Sequence, residues 1–209
     1  MKKIIDILKF YQDIGVEYTK KINLQDKEDI WKNLENEVVN CKKCSLFKER
    51  TNPVFGAGNK DARLMFVGEA PGRDEDKQGV PFVGRAGRLL NELLKDVGID
   101  RKEIYIANCL KCRPPNNRDP LSSELKMCFG YLKRQIALIK PKVIVTLGRY
   151  STYELTDEKA AMGQLIGRVF EFGNIKVVPI YHPAYLLRNP KAIDIFTRHL
   201  KKVKRLVEE

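Results

Sequence analysis

Four short runs of consecutive apolar residues, rich in β-branched side chains, recur at 63–68, 104–108, 143–147 and 176–181. A run that is apolar at successive positions, not at every second one, predicts a strand covered on both faces. Between these runs, at 86–97, 122–139 and 149–155, apolar residues fall every three or four positions, and a last such segment closes the chain at 192–207. That spacing predicts amphipathic helices. The alternation predicts an α/β fold, a three-layer α/β/α sandwich around a central, mostly parallel four-stranded sheet. Residues 3 to about 38 precede this pattern and read as two helices broken near 22–26, the second continuing through Ile30, Leu34 and Val38. We therefore expect an N-terminal helical extension, 1–38, and a main domain, 39–209. The Pro- and Asn-rich stretch 114–120 predicts an irregular loop.

Charge narrows the choice of partner only a little. Against 27 Asp and Glu stand 39 Lys and Arg, a formal charge of +12, which suits a polyanion because each neutralised phosphate releases counterions. No stretch is apolar across a bilayer's width. The opening Met-Lys-Lys resembles a secretory signal, but Asp6, Gln12, Asp13 and Glu17 interrupt it at helical spacing and no small-residue cleavage site follows. A soluble, cytoplasmic protein without membrane contact is the expectation. Five cysteines are an odd number, which weakens a disulfide framework. The Lys- and Glu-rich balance is common in heat-adapted proteins.

The unusual residues sit just after the expected strands: Gly-Glu-Ala-Pro-Gly from 68, Asn108-Cys-Leu-Lys-Cys-Arg-Pro-Pro, and His182-Pro. In open parallel sheets ligands bind at the carboxyl ends of strands. Cys41-Lys-Lys-Cys44 is a C-x-x-C step, and Cys112 and Cys128 lie far downstream. Four thiolates suit a tetrahedral zinc or an iron–sulfur cluster, and spacing alone does not choose between them. A redox pair is the weaker account, because the step follows a helix and not a strand. Cys109 falls at the end of a strand, where a free cysteine behaves as a small apolar residue.

GEAPGRDEDKQGVPFVGRAGRLL at 68–90, NCLKCRPPNNRDP at 108–120 and HPAYLLRNP at 182–190, in this order and with the four cysteines, resemble the family 4 uracil-DNA glycosylases of thermophilic bacteria and archaea. The resemblance covers about 41–200. It implies a 4Fe-4S cluster held by Cys41, Cys44, Cys112 and Cys128, and excision of uracil from single- and double-stranded DNA.

It also implies residue roles. Uracil must leave the duplex to be cut from its sugar. Phe82 matches the family's stacking residue, Asn108 the amide that reads uracil by donating to O4 and accepting from N3–H, and His182 the donor to O2. Gly68, Glu69 and Ala70 match the turn against the base and sugar. Family 1 enzymes carry an Asp where this chain has Ala70, as family 4 does generally. Either Glu69 substitutes by orienting water or by stabilising the cationic sugar, or leaving-group stabilisation carries more of the rate. The catalytic assignments are thus Glu69 and His182. Asp74, Glu75 and Asp76 read as a solvated acidic turn, with Glu75 also a candidate for crowding the thymine methyl. Arg88, Arg113, Arg118 and Arg188 are candidates for phosphate contact, and Tyr185, Leu186 and the following Leu187 for a wedge into the gap left by the base. His199 reads as a surface or capping residue. The cluster is expected to hold the 112–128 loop and to take no part in bond cleavage.

Two alternatives compete. A relative that traps its product covalently would need a basic loop ending in His, and Arg113-Pro-Pro-Asn-Asn-Arg-Asp-Pro occupies that place. A non-catalytic metal-bearing nucleic-acid module would leave Glu69, Phe82, Asn108 and His182 unexplained. The expectation is a monomeric glycosylase acting on cytoplasmic, nucleoid DNA, with any protein partner of residues 1–38 unassigned.

Overall fold

A computed structural model describes residues 24–209; the first of the two expected N-terminal helices lies outside the described residues. One sheet organises the chain. Its strands are β1 (Ala57–Gly58), β2 (Leu64–Gly68), β3 (Tyr105–Asn108), β4 (Val143–Leu147), β5 (Phe170–Phe172) and β6 (Ile175–Ile180), in the order β1-β3-β2-β4-β6-β5. The four expected strands form its parallel centre. The sheet is nevertheless six-stranded, because β1 pairs antiparallel with β3 and β5 antiparallel with β6. Neither edge strand carries an apolar run: β1 is Ala-Gly, and β5 places Glu171 between two half-buried phenylalanines.

The central strands are apolar throughout because both faces are covered. Met65, Val67, Tyr105, Ala107, Ile144 and Val177 point into one core, completed by α1 (Leu24–Val39), α4 (Ser122–Ile139) and Leu155 of α5 (Arg149–Thr156). Their neighbours Leu64, Phe66, Ile106, Val145, Val178 and Ile180 point into the other, completed by α3 (Arg85–Asp96), α7 (Pro183–Arg188) and α8 (Ile193–Glu208). Fully burying a side chain of this size stabilises by about 1.5–3 kcal/mol. Two short helices, α2 (Arg73–Gln78) and α6 (Met162–Leu165), complete the set. The result is the expected three-layer sandwich. Among the described residues no helix is long and apolar enough to cross a membrane.

Helix α1 is tied into the first core. Trp31, Leu34 and Val38 are buried, and Trp31 meets Phe55 and Tyr105 edge to face, at 5.4 and 5.5 Å between ring centres. On the surface, Nη1 and Nη2 of Arg134 in α4 donate to the Glu37 carboxylate.

Candidate active site and cysteine site

The carboxyl ends of β2, β3 and β6 open on one cavity of about 470 Å³, lined by Glu69, Ala70, Phe82, Asn108, His182 and Tyr185 with several neighbours. The parallel register pairs Gly68 with Asn108, and the Cys109 amide donates to the Gly68 carbonyl at 3.0 Å. The close approach explains the glycine: a Cβ at Gly68 would overlap Asn108 Oδ1 and the Phe82 ring. Asn108 Oδ1 is itself buried and has no hydrogen-bond partner. Leaving a buried acceptor unmade costs about 1–3 kcal/mol, so this atom is prepared for a donor supplied from outside.

Phe82 adopts φ 55°, the left-handed region that side chains seldom occupy. Two contacts hold it there. Gly87, in the first turn of α3, lies so close beneath that a Cβ would strike the Phe82 carbonyl. Glu75 Oε1 accepts from the amides of Val83 and Gly84 at 2.9 and 2.8 Å. The expected solvated acidic turn is therefore corrected: residues 74–76 lie in α2, Asp76 is buried and accepts from the Thr51 amide, and Glu75 clamps the Phe82 turn. The Phe82 ring faces the His182 ring, 5.7 Å between centres and tilted by 36°.

His182 caps α7, and its Nδ1 accepts from the Ala184 amide at 3.1 Å. The neutral imidazole then carries its proton on Nε2. Burial, with the positive charge of Arg188, pushes its pKa down to about 4, so the ring is a neutral donor at neutral pH. Glu69 moves the other way. Burial, and then the nearby Asp119 carboxylate, raise its pKa to about 7 against the pull of Arg149. Arg149 in turn donates to Asp119 and to the Tyr150 hydroxyl at 2.9 and 3.0 Å. Ala70 is half-buried in the cavity wall.

The residues considered for DNA contact separate on inspection. Arg118, Tyr185 and Arg188 line the cavity, whereas Arg88 and Arg113 lie outside its lining. Arg118 is already occupied, gripping both oxygens of the buried Glu124 at 2.6 and 2.9 Å. Arg113 donates to Asn117 and Arg88 to the Val83 carbonyl. Leu186 is corrected: it is fully buried in the core and cannot enter DNA, and the exposed apolar side chains of that helix are Tyr185 and Leu187. His199, in α8, is partly buried, with its Nδ1 unpartnered.

Cys41, Cys44, Cys112 and Cys128 line a second, small cavity, with Arg50, Lys111 and Tyr131 among its other walls. Cys109 is buried apart from it. Two sulfurs receive donors: the Lys111 amide reaches Cys128 Sγ at 3.3 Å and Arg50 Nη1 reaches Cys112 Sγ at 3.1 Å. Burial raises the Cys128 thiol to about 12 and also raises the Cys112 thiol, with Arg50 opposing the latter shift. Among the described residues no group of three His, Cys, Asp or Glu side chains is arranged to hold a metal ion. A larger groove of about 570 Å³ on the outer side of α4, with Lys43, Lys126 and Lys133 in its wall, contains none of the strand-end residues.

A family model described as the uracil DNA glycosylase superfamily matches residues 55–207, a span that holds the whole strand-end cavity. The chain belongs to the uracil-DNA glycosylase superfamily. Within it, a type-4 uracil-DNA glycosylase from Archaeoglobus fulgidus is 47% identical over 175 residues, covering 80% of this chain and 88% of that protein. Type-4 enzymes from Sulfurisphaera tokodaii, at 45% identity over 85% of each chain, and Thermotoga maritima, at 47% over 78% and 86%, are similar. The strand-end residues that line the cavity thus all fall within the matched span. Sequence reasoning did not find Glu75 as a clamp, Asp119 and Arg149 beside Glu69, or Lys111 between the cavities. A signal existed only for Lys111, an interior lysine within the motif between two cysteines.

Proposed function

We propose that the chain is a monofunctional uracil-DNA glycosylase that takes uracil out of single- or double-stranded DNA and hydrolyses its N-glycosidic bond, leaving an abasic site for base excision repair. The observation that carries this reading is the unpartnered Asn108 Oδ1, buried beside the Phe82 ring in a cavity that also holds a neutral His182. A flipped uracil stacked on Phe82 meets Asn108 with its Watson–Crick edge: Oδ1 accepts from N3–H and the amide nitrogen donates to O4. Cytosine offers an acceptor at N3 and a donor at C4, and so mismatches both contacts. His182 Nε2–H donates to O2, where negative charge grows as the base departs, and a fixed neutral donor needs no proton transfer to do so. Glu69 faces the sugar side as the group that orients water or stabilises positive charge at C1′, in its carboxylate form. Ala70, where family 1 has an acid, leaves this role to Glu69.

The four cysteines support the 4Fe-4S assignment. The donor set is all thiol and converges on one cavity, and two sulfurs accept N–H bonds that favour their anionic forms. When bound there, the group supplies cross-linking and no bond-breaking chemistry. Cys41, Cys44, Cys112 and Cys128 would hold it, and so would tie the Cys112 loop and the Cys128 helix together beside the base cavity. We further place the enzyme in the cytoplasm as a monomer on nucleoid DNA.

The test is incubation of the purified protein with a labelled oligonucleotide carrying one uracil, beside a thymine control, followed by alkali to break abasic sites. Cleavage at uracil alone, with turnover and without added metal ions, is expected. Binding without cleavage would replace this reading with that of a nucleic-acid module.

A further inference from the structure

Lys111 is the one lysine among the described residues that is fully removed from solvent, with 1% of its surface exposed. No carboxylate pairs with it; its Nζ donates to the Asn108 carbonyl at 3.0 Å and to Gln135 Oε1 at 2.6 Å. Gln135 is held in turn, its amide nitrogen donating to the Phe55 carbonyl and the Tyr105 hydroxyl at 3.0 and 3.2 Å. The main chain of Lys111 is also fixed, its amide donating to Cys128 Sγ and its carbonyl accepting from the Val54 amide at 2.7 Å. Both Cys128 and Gln135 belong to α4. A buried ammonium is expensive to keep, and a methionine would fill the same space without that cost, so packing does not account for the residue.

The geometry accounts for it. The peptide between Asn108 and Cys109 is where β3 ends and the chain leaves the ladder. Its amide is tied to the Gly68 carbonyl and its own carbonyl to Lys111 Nζ, so the peptide plane cannot rotate. That plane sets the direction in which the Asn108 side chain leaves the backbone. We propose that Lys111 is a positioning residue for base recognition: its ammonium locks the 108–109 peptide, and with it the Asn108 amide, to the helix that carries Cys128. The proposal rests on the reading of Asn108 as the group that recognises uracil.

The experiment compares the full chain with Lys111→Met, each checked for folding by circular dichroism and for its visible absorption. Two quantities are read: affinity for free uracil by ligand-detected NMR, and binding of an oligonucleotide with an abasic site. Lys111→Met is expected to bind uracil about tenfold more weakly and excise it at least tenfold more slowly, while abasic DNA binding changes less than twofold. A folded variant with a lower unfolding temperature but unchanged uracil affinity overturns the proposal, since a merely structural lysine behaves so. Should Lys111→Met not fold, Gln135→Met keeps the lysine and removes its anchor on α4; a several-fold loss of uracil affinity then supports the proposal and an unchanged affinity overturns it. Unsubstituted protein that binds abasic DNA yet neither binds nor excises uracil overturns the underlying reading, and the proposal with it.

Discussion

The base cavity and the cysteine cavity lie at the two ends of one short segment, 108–112, and their polar groups are prepared in opposite ways. In the base cavity, the key acceptor, Asn108 Oδ1, is left without a partner and the histidine is held neutral. In the cysteine cavity, sulfur atoms already receive N–H donors from Lys111 and Arg50. One is built to complete its hydrogen bonds with a neutral, polar guest that comes and goes. The other gathers four thiols, two of them raised in pKa by burial, and supplies N–H donors to two of the sulfurs. The difference teaches that an unsatisfied acceptor inside a cavity, as at Asn108, is what points to an exchanging ligand; His199 Nδ1 is also unpartnered but does not line that cavity.

The largest expected effect tests whether the two ends are independent. His182→Ala should slow single-turnover excision of uracil by about 10²–10³-fold, the cost of one lost donor to a developing anion, with visible absorption unchanged. Loss of that absorption would break the comparison. Glu75→Leu comes next: without its carboxylate the amides of Val83 and Gly84 lose their acceptor, Phe82 is free to leave its left-handed conformation, and excision should fall about tenfold with a stability loss of about 1–3 kcal/mol, read by chemical denaturation.

The pH dependence should be several-fold. Glu69, with its pKa raised to about 7, is ionised above that value, so excision should rise between pH 6 and pH 8, and Glu69→Gln should flatten the rise. His182 contributes nothing to that slope, being neutral down to about pH 4. It acts on stability instead. Above the ordinary histidine value of about 6.5 the ring is neutral folded or unfolded; below it the unfolded chain takes up a proton that the folded chain refuses until about pH 4, so stability falls across that window. The smallest effect is at the rim. Arg188 is exposed beside the cavity, and Arg188→Gln should lower the salt slope of DNA binding by about one, with excision of bound uracil unchanged.

The centre of the fold was legible because burial on both faces leaves a run of apolar residues that no surface segment imitates: residues 143–147 coincide with β4, and 122–139 with α4. The edge strands were not, since Ala57–Gly58 and Phe170–Phe172 are held by main-chain bonds that any sequence could make. The motif residues Gly68, Asn108 and His182 could be placed at strand ends and Phe82 in a loop, but not their electrostatics. That His182 is neutral and Glu69 high in pKa comes first from burial, with Arg188 adding to the one shift and Asp119, opposed by Arg149, to the other, and the chain makes that environment only on folding. Leu186 illustrates the same limit on a helix, where each residue turns about 100° from the last: it faces the core while Tyr185 and Leu187 face solvent. Trp31, Leu34 and Val38 likewise join the core of the sheet although they precede the first motif.

The strand order has a consequence for synthesis. Gly68 and Asn108 are adjacent as soon as β2 and β3 pair, but His182 follows β6, which reaches the sheet only by docking on β4. Gly68, Glu69 and Asn108 can thus come together while the ribosome is still translating, and His182 joins them from among the last parts of the message. A nascent chain ending before β6 carries the Asn108 wall of the cavity without its histidine.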